Sequence, residues 1–442
     1  MQPSSDDLFN DQIQLIVDSI RTNEAIVFCG AGLSFNSGLP IVNDFISYLL
    51  SKLSLPEEEV QAILSARFPF ESLMEFFNNF SDIDPILDLF GAGLPNTNHI
   101  LLAKLAKAGK LKILCTTNFD ELIEQAFISQ DLVEEKDYKV YYREDQFKTI
   151  NWNDSRIILI KLHGSIRDKP NMAITLRKVA SKILSFQRQK VVEEIFTVSQ
   201  HKSVLVLGYS SSDSFDISPH ILAIEENQCV VMLIEHTGSH DVELNGIVED
   251  IRVRKEKNPF TGFGNSKRIY CNTDLLTKAI WNSCLVDPYQ FISYSNNMNF
   301  NWEENINSWF NQVRISHGED AGCFISSFLF DKIPDFAKAI HYGKLALENK
   351  DKLTDKKYEA RIYLALSSYY EESGQVNDAL LCLRKSEEVA IREDQSLTST
   401  IKGGMGRLHL RKGNYSEAIE CFRIAAQIAR KIEDDDAAVL WL

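Results

Sequence analysis

The sequence predicts an α/β protein: a doubly wound parallel sheet in the N-terminal part, then an all-α domain of helical repeats. Three observations lead there. Runs that are apolar throughout, among them "AIVFC", "KILCTT" and "SVLVLG", alternate with longer helical patterns up to about residue 284. The first run stops at a turn almost bare of side chains, Gly30-Ala31-Gly32. Beyond residue 318 a pattern recurs with offsets of 39 and 40 residues.

The elements follow in order. A helical pattern over 7–22 precedes a strand at 25–29, and helical segments fill 43–108, including the aromatic "ESLMEFFNNF". Strands are expected at 112–117, 156–162, 203–208, 229–234 and 268–271. None alternates polar with apolar, as expected of strands covered by helices on both faces. Strands separated by helical segments imply a parallel sheet, and such sheets bind ligands beyond the carboxyl ends of their strands. The aromatic, Asn-rich stretch 285–317 reads as a connector that packs on something.

In the tail, "SGQVNDALLCLRKSEEVA" aligns with "KGNYSEAIECFRIAAQIA", setting Gly374 over Gly413 and Ala379 over Ala418, an offset of 39. Ala339 lies 40 residues before Ala379. The unit is two helices joined by a tight turn, with small residues where neighbours approach. It resembles the tetratricopeptide family, with a somewhat longer period. That resemblance covers 318–442 and implies a concave surface for a peptide or protein. The closing "DDDAAVLWL" is apolar where a solenoid cap is usually polar, which points to a further repeat or to docking on a second copy. The expected domains are therefore 1–284, 285–317 and 318–442.

Composition narrows the function classes. A chain of 442 residues with 44% hydrophobic and 25% charged residues is that of a soluble globular protein. A formal charge of −15 disfavours non-specific nucleic-acid binding, which needs a basic surface. The N-terminus has neither the basic start nor the apolar core of a signal peptide, and no apolar run reaches the ~20 residues of a membrane helix. The cysteines at 29, 115, 229, 271, 284, 323, 382 and 421 form no C-x-x-C pair, so reduced thiols in the cytoplasm, with no zinc site, are expected.

Chemistry is expected on the carboxyl edge of the sheet. The glycine turn suits close backbone approach and, at a helix start, the phosphates of a nucleotide. Taken alone, it is equally well a plain corner. Three more strand ends add polar groups: Asn118 and Asp120 after the second strand, His163 and Gly164 after the third, and Gly208, Ser210 and Asp213 after the fourth. Each has a structural reading of its own, Asn118 as a helix cap and His163 as a satisfied histidine. In a parallel sheet, however, all of them lie on one edge.

These motifs, Gly30-Ala31-Gly32-Leu33-Ser34, Gly38-Leu39-Pro40, Thr-x-Asn118-x-Asp120, Leu162-His163-Gly164 and Gly208-x-Ser210, resemble in kind and order those of the sirtuin family. The resemblance covers 1–284. It implies a Rossmann-like domain that binds NAD+ and breaks its nicotinamide–ribose bond. It would place Gly30, Ala31, Gly32 and Ser34 on the phosphates, and Asn118 and Asp120 beside the nicotinamide and its ribose. Asn118 would position a water, with His163 at the ribose hydroxyls as general base. Gly208, Ser210 and Asp213 fall on the adenosine side, Glu235 near the adenine ribose, and Asn272–Asp274 over the adenine.

The departures matter equally. The two C-x-x-C pairs of the sirtuin zinc module are missing, no Arg stands beside Phe45, and Thr117 replaces a Gln. These departures count against acyl-lysine binding and leave NAD+ cleavage, with water as acceptor. The combination with a helical-repeat tail resembles bacterial anti-phage NADases, which implies a protein trigger read by the repeats, abortive infection as the outcome, and a homo-oligomer. The alternatives are an NAD+-dependent ADP-ribosyltransferase or deacylase, and a non-catalytic sensor of NAD+ or a derivative.

Overall fold

The computed structural model describes residues 5–53, 55–66, 70–175, 182–197, 203–211, 217–224, 229–238, 243–253, 258–292, 301–318, 320–348, 356–390 and 394–432. The chain divides into two compact units: Met1–Val42 with Pro69–Ile306, and Asn43–Phe68 with Asn307–Leu442. This differs from the expected boundaries, because 43–68 belong with the C-terminal unit rather than with the sheet. Their apolar spacing is that of any amphipathic helix, which does not say which core the apolar face joins.

The first unit is built on eight strands: β1 Ala25–Cys29, β2 Ile113–Thr116, β3 Tyr138–Tyr141, β4 Ile157–Lys161, β5 Ser203–Leu207, β6 Val230–His236, β7 Gly246–Asp250 and β8 Lys267–Cys271. They form one sheet in the order β3-β4-β2-β1-β5-β6-β8-β7, parallel except for β7, which runs antiparallel to β8. The helices before β3 are α1 Ser5–Arg21, α2 Val42–Ser51, α3 Glu57–Ser65, α4 Phe70–Phe80, α5 Asp84–Leu87, α6 Thr97–Lys107 and α7 Leu122–Ser129.

Both faces of the sheet are covered at its centre, which is why β1 and β2 are almost wholly apolar and β5 is apolar after Ser203. In β1, Ala25, Val27 and Cys29 join a core made with α1, α6, α7 and the helix Thr273–Cys284. Ile26 and Phe28 point the other way, into a core that includes the helix Lys182–Thr197. Each such buried aliphatic or aromatic side chain stabilises the fold by roughly 1.5–3 kcal/mol. Two strands were not expected, and each lacks an apolar run. β3 reads "YKVY", and β7, with alternating half-exposed and exposed residues, is an edge strand.

The order of strands places the crevice. From β1 the chain passes to β2 on one side, and after β4 it crosses to β5 on the other. The switch point therefore lies at the carboxyl ends of β1 and β5, where Gly30 and Gly208 stand.

Part of the expected connector is regular, since Trp302–His317 is a helix. Its first part packs as expected: Ile292 exchanges hydrogen bonds with Thr97, and Trp281 Nε1 donates to the carbonyl of Asp287.

In the second unit, helix pairs Ala321–Lys332/Phe336–Leu345, Lys356–Glu372/Val376–Val389 and Gln395–Arg411/Tyr415–Lys431 pack as hairpins. Gly374 and Gly413 turn two of them with φ of 78° and 76°. The matched Ala339, Ala379 and Ala418 are all buried. Helix α3 belongs to this unit as well, where Glu59 accepts from the Tyr342 hydroxyl at 2.6 Å. The stretch "DDDAAVLWL" lies outside the described residues.

Candidate functional site

The glycines at the switch point interlock. Gly30 N–H donates to Leu207 C=O at 3.0 Å, and Gly32 N–H to Gly208 C=O at 2.8 Å. A Cβ on Gly30 would lie 2.6 Å from Gly208 O, and one on Gly32 would lie 2.8 Å from Gly208 Cα. Gly208 itself has φ +64, and its Cβ would meet Leu33 N at 2.3 Å. The turns after β1 and β5 are thus bare because they lie against each other. The N–H groups of Gly30 and Gly32 are taken up by the end of β5 and the turn after it. Ala31 and Gly32 remain exposed on the rim.

Ser34 turns inward to a buried polar cluster. Its Oγ donates to Asp120 Oδ2 at 3.0 Å, accepts from Asn118 Nδ2 at 3.2 Å and meets His99 Nε2 at 3.4 Å. Asp120 Oδ1 also accepts from Leu122 N–H, and Asn118 N–H bonds Thr116 Oγ1. Asn118 is therefore not the cap of α7, whose N-cap is Glu121.

His99 is not among the residues the sequence singles out. It and Asn96 close a capping box at the start of α6, and Asn96 Nδ2 donates to the carbonyls of Leu33 and Phe35. The signal is present in "NTNH", where an N-cap residue is followed three positions later by a side chain able to answer it. Burial lowers the His99 pKa to about 4, with Asp120 opposing, so the imidazole is neutral near pH 7.

His163 comes to the same edge. Its ring lies against Phe119, centroids 5.9 Å apart, and Phe119 follows Asn118 directly. The two loops are tied by backbone: Leu162 N–H donates to Thr116 C=O at 2.9 Å, and Ile166 N–H to Phe119 C=O at 3.0 Å. Beneath them Lys161, fully buried at the end of β4, donates to the Asp120 carbonyl and pairs with Glu124 at 2.9 Å. Burial raises the Glu124 pKa and the lysine opposes that rise.

The adenosine side is less converged. Ser210 is exposed after the Gly208 turn, and Asp213 lies outside the described residues. Glu235 stands at the β6 end, but its carboxylate is 3.2 Å from the buried guanidinium of Arg268. Asn272, expected over the adenine, caps the helix Thr273–Cys284 by accepting from Asp274 and Leu275 N–H.

Cys29 and Cys115, on the central strands, are held protonated: burial pushes both thiols up, and Asp120 adds to this at Cys29. They sit as small hydrophobes rather than as nucleophiles. Among the described residues, no group of three or more His, Cys, Asp or Glu is placed to hold a metal ion, and no helix is long and apolar enough to cross a membrane. A hollow of about 390 Å³ opens beside the His163 turn, lined by Leu162, Gly164, Asn171 and Arg188, and another of about 440 Å³ lies between Asp84 and Arg167. Neither is lined by Asn118 or the glycine turn, so the candidate site is defined by convergent side chains and not by either hollow.

A doubly wound parallel sheet with a polar cluster beside its switch point is the class of architecture in which ligands bind outside the carboxyl ends of the strands. Comparison with known proteins shows what parts of the chain are similar to. Residues 112–228 match the family model of the SIR2-like domain, a span that holds Asn118, Asp120, His163, Gly208, Ser210 and Asp213 but not the glycine turn after β1. An NAD-dependent protein deacetylase of Clostridium perfringens is 34% identical over 121 residues, 26% of this chain and 46% of that protein. The NAD(+) hydrolase ThsA of Acinetobacter baumannii is 26% identical over 220 residues, 49% of this chain and 43% of that protein. The chain thus matches less than half the length of these curated relatives. A Sir2 homolog–NAD complex aligns with a TM-score of 0.33 at 15% identity, covering 61% of this chain and 93% of that one.

Proposed function

We propose that the protein is an NAD+ glycohydrolase that cleaves NAD+ to nicotinamide and ADP-ribose, with water as the acceptor. The observation that carries this reading is the convergence of Asn118, Asp120 and His163 on two mutually bonded loops beside the switch point. The partial likeness to an NAD(+) hydrolase supports it.

The chemistry asks little of the protein. The C1′–N bond breaks with its electron pair leaving on nicotinamide, which departs neutral, and water adds to the oxocarbenium-like C1′. The water's proton passes to His163 and on to solvent. Asn118 would orient the water, with its carboxamide held by Ser34, and Asp120 would fix Ser34 in turn. Ala31, exposed on the rim, would present backbone to the pyrophosphate, and Gly32 would leave room for it. Ser210 and Asp213 would serve the adenosine, and Glu235 reaches a ribose only if it shares its carboxylate with Arg268.

By the same reading the protein is a cytoplasmic anti-phage effector of abortive infection. Its helix pairs, of tetratricopeptide type, would receive a protein trigger or build a homo-oligomer. The test is expression of the protein and of His163→Ala in cells, with NAD+, nicotinamide and ADP-ribose measured before and after phage challenge. Loss of NAD+ with free ADP-ribose, abolished by the substitution, is the expected result. Equal NAD+ loss in both strains would remove His163 from the mechanism.

A second reading, transfer to a protein or acyl acceptor, is favoured by the deacetylase relative. It predicts ADP-ribosylated protein or an acyl-ADP-ribose in place of free ADP-ribose.

A further inference from the structure

We infer that Lys161 is the positioning residue of the candidate site: its buried ammonium sets the spacing between the loop that carries Asn118 and Asp120 and the strand end that carries His163. The catalytic consequence rests on the proposed NAD+ cleavage, whereas the positioning itself does not.

Lys161 is the last residue of β4, two positions before His163, and its side chain is 0% exposed. Its three N–H groups are shared among four acceptors: the carbonyl of Asp120, Glu124 Oε1 at 2.9 Å and, at longer range, Ser165 Oγ at 3.3 Å and the carbonyl of Phe119 at 3.4 Å. These partners belong to three pieces of backbone: the loop after β2, the first turn of α7 and the turn after His163. One cation therefore holds together the segments that carry both reacting groups.

A buried ion pair is a poor way to gain stability. Removing two charges from water costs several kcal/mol per ion, and an apolar pair of similar volume commonly folds as well or better. A methionine at 161 would fill the same space without that cost. What it cannot do is hold the carbonyls of Phe119 and Asp120. Those peptides carry the ring packed on His163 and the carboxylate bonded to Ser34. Glu124 supplies the countercharge. With Lys161 gone, burial would drive Glu124 to take up a proton, a change in the fold's energetics distinct from the loss of positioning.

The two effects separate experimentally. In the full chain, Lys161→Met should lower the Tm, because it leaves Glu124 buried without its partner. The double variant Lys161→Met/Glu124→Leu should recover the Tm. Its kcat for NAD+ should nevertheless stay at least tenfold below wild type, with KM changed less than about threefold. Histidine-labelled protein gives an independent readout. The His163 imidazole resonance, assigned by its loss in His163→Ala, should shift or broaden in the double variant while that of His236 stays in place. Should the apolar pair fail to fold, Lys161→Gln/Glu124→Gln is read in the same way. Recovery of wild-type kcat with an unmoved His163 resonance would show that Lys161 is structural only and would overturn the inference, as would a fall in kcat with the resonance unmoved. If NAD+ loss in phage-challenged cells proves independent of His163 yet the resonance moves in the double variant, the positioning stands and the proposed reaction falls.

Discussion

The two sides of β1 are built differently although they share one sheet edge. Toward β2 and β4, Ser34, His99, Asn118 and Asp120 form a buried hydrogen-bonded cluster, and Lys161 anchors it from below. Toward β5 and β6 the rim is backbone and surface: Gly208 interlocks with the opposite turn, Ser210 is exposed, and Glu235 answers Arg268. A reaction centre needs groups held in fixed geometry and shielded from water, whereas a grip on a nucleotide's far end needs mainly shape and a few donors. On the proposed reading, chemistry falls to the first side and binding to the second.

The largest expected effect tests that division directly. His163→Ala and Asn118→Ala should each lower kcat/KM for NAD+ by about 10²–10⁴-fold, in the range lost with a positioned acid–base or orienting group. Ser210→Ala should stay within about threefold of wild type. Comparable losses on both sides, read in one steady-state assay, would end the distinction.

Next come the interlocked glycines. Gly208→Val places a β-branched side chain at φ +64 and drives its Cβ to 2.3 Å from Leu33 N, so a loss of more than about 3 kcal/mol is expected in urea unfolding. Gly109 is the control, with φ +70 and nothing within 4 Å of an added Cβ. Gly109→Ala should cost only about 1 kcal/mol, the backbone component alone. Gly32→Val should likewise act on folding before it acts on NAD+ affinity, because its Cβ meets Gly208 rather than open space.

A pH effect of similar size belongs to His99. Its folded pKa is lowered to about 4, below the unfolded value of about 6.5. Between those values the unfolded chain binds more protons, so stability rises with pH through that window. The contribution is full above pH 6.5 and is lost as pH falls toward 4, about 3 kcal/mol in all. Unfolding free energies at pH 7.5 and 4.5 should differ accordingly in wild type and much less in His99→Gln. An unchanged slope in the variant would assign the pH dependence elsewhere.

The smallest effect sharpens the β6 side. Glu235→Gln should cost about 1–2 kcal/mol of stability, since Arg268 keeps its burial but loses a charged partner, while KM for NAD+ changes less than threefold. A tenfold rise in KM, measured alongside Tm, would give Glu235 back to the ligand.

Much of the sheet was legible because a strand covered on both faces must be apolar at every position, as Ile26 through Cys29 are. β3 and β7 were not: β3 is buried but is a four-residue strand interrupted by Lys139, and β7 is an exposed edge strand with polar residues such as Glu249. Asn118, Asp120 and His163 could be chosen from sequence because parallel strands put their ends on one edge. His99 and Lys161 could not. One looks like an ordinary helix residue and the other like a surface lysine until the fold buries them. The same limit applies to 43–68, whose helical pattern is plain but whose membership of the second unit depends on distant side chains such as Tyr342 and Asn307.

By itself the sequence determined the layered sheet, the repeat period near 40 residues and the strand ends where polar groups gather, because these follow from periodicity along the chain. Only the tertiary structure decided that three glycines are bare in order to touch each other, that a neutral histidine lies behind Ser34, and that a buried ammonium ties together the loops carrying Asn118 and His163. Such facts depend on contacts between segments tens to more than a hundred residues apart, and local pattern carries no record of which distant group will arrive.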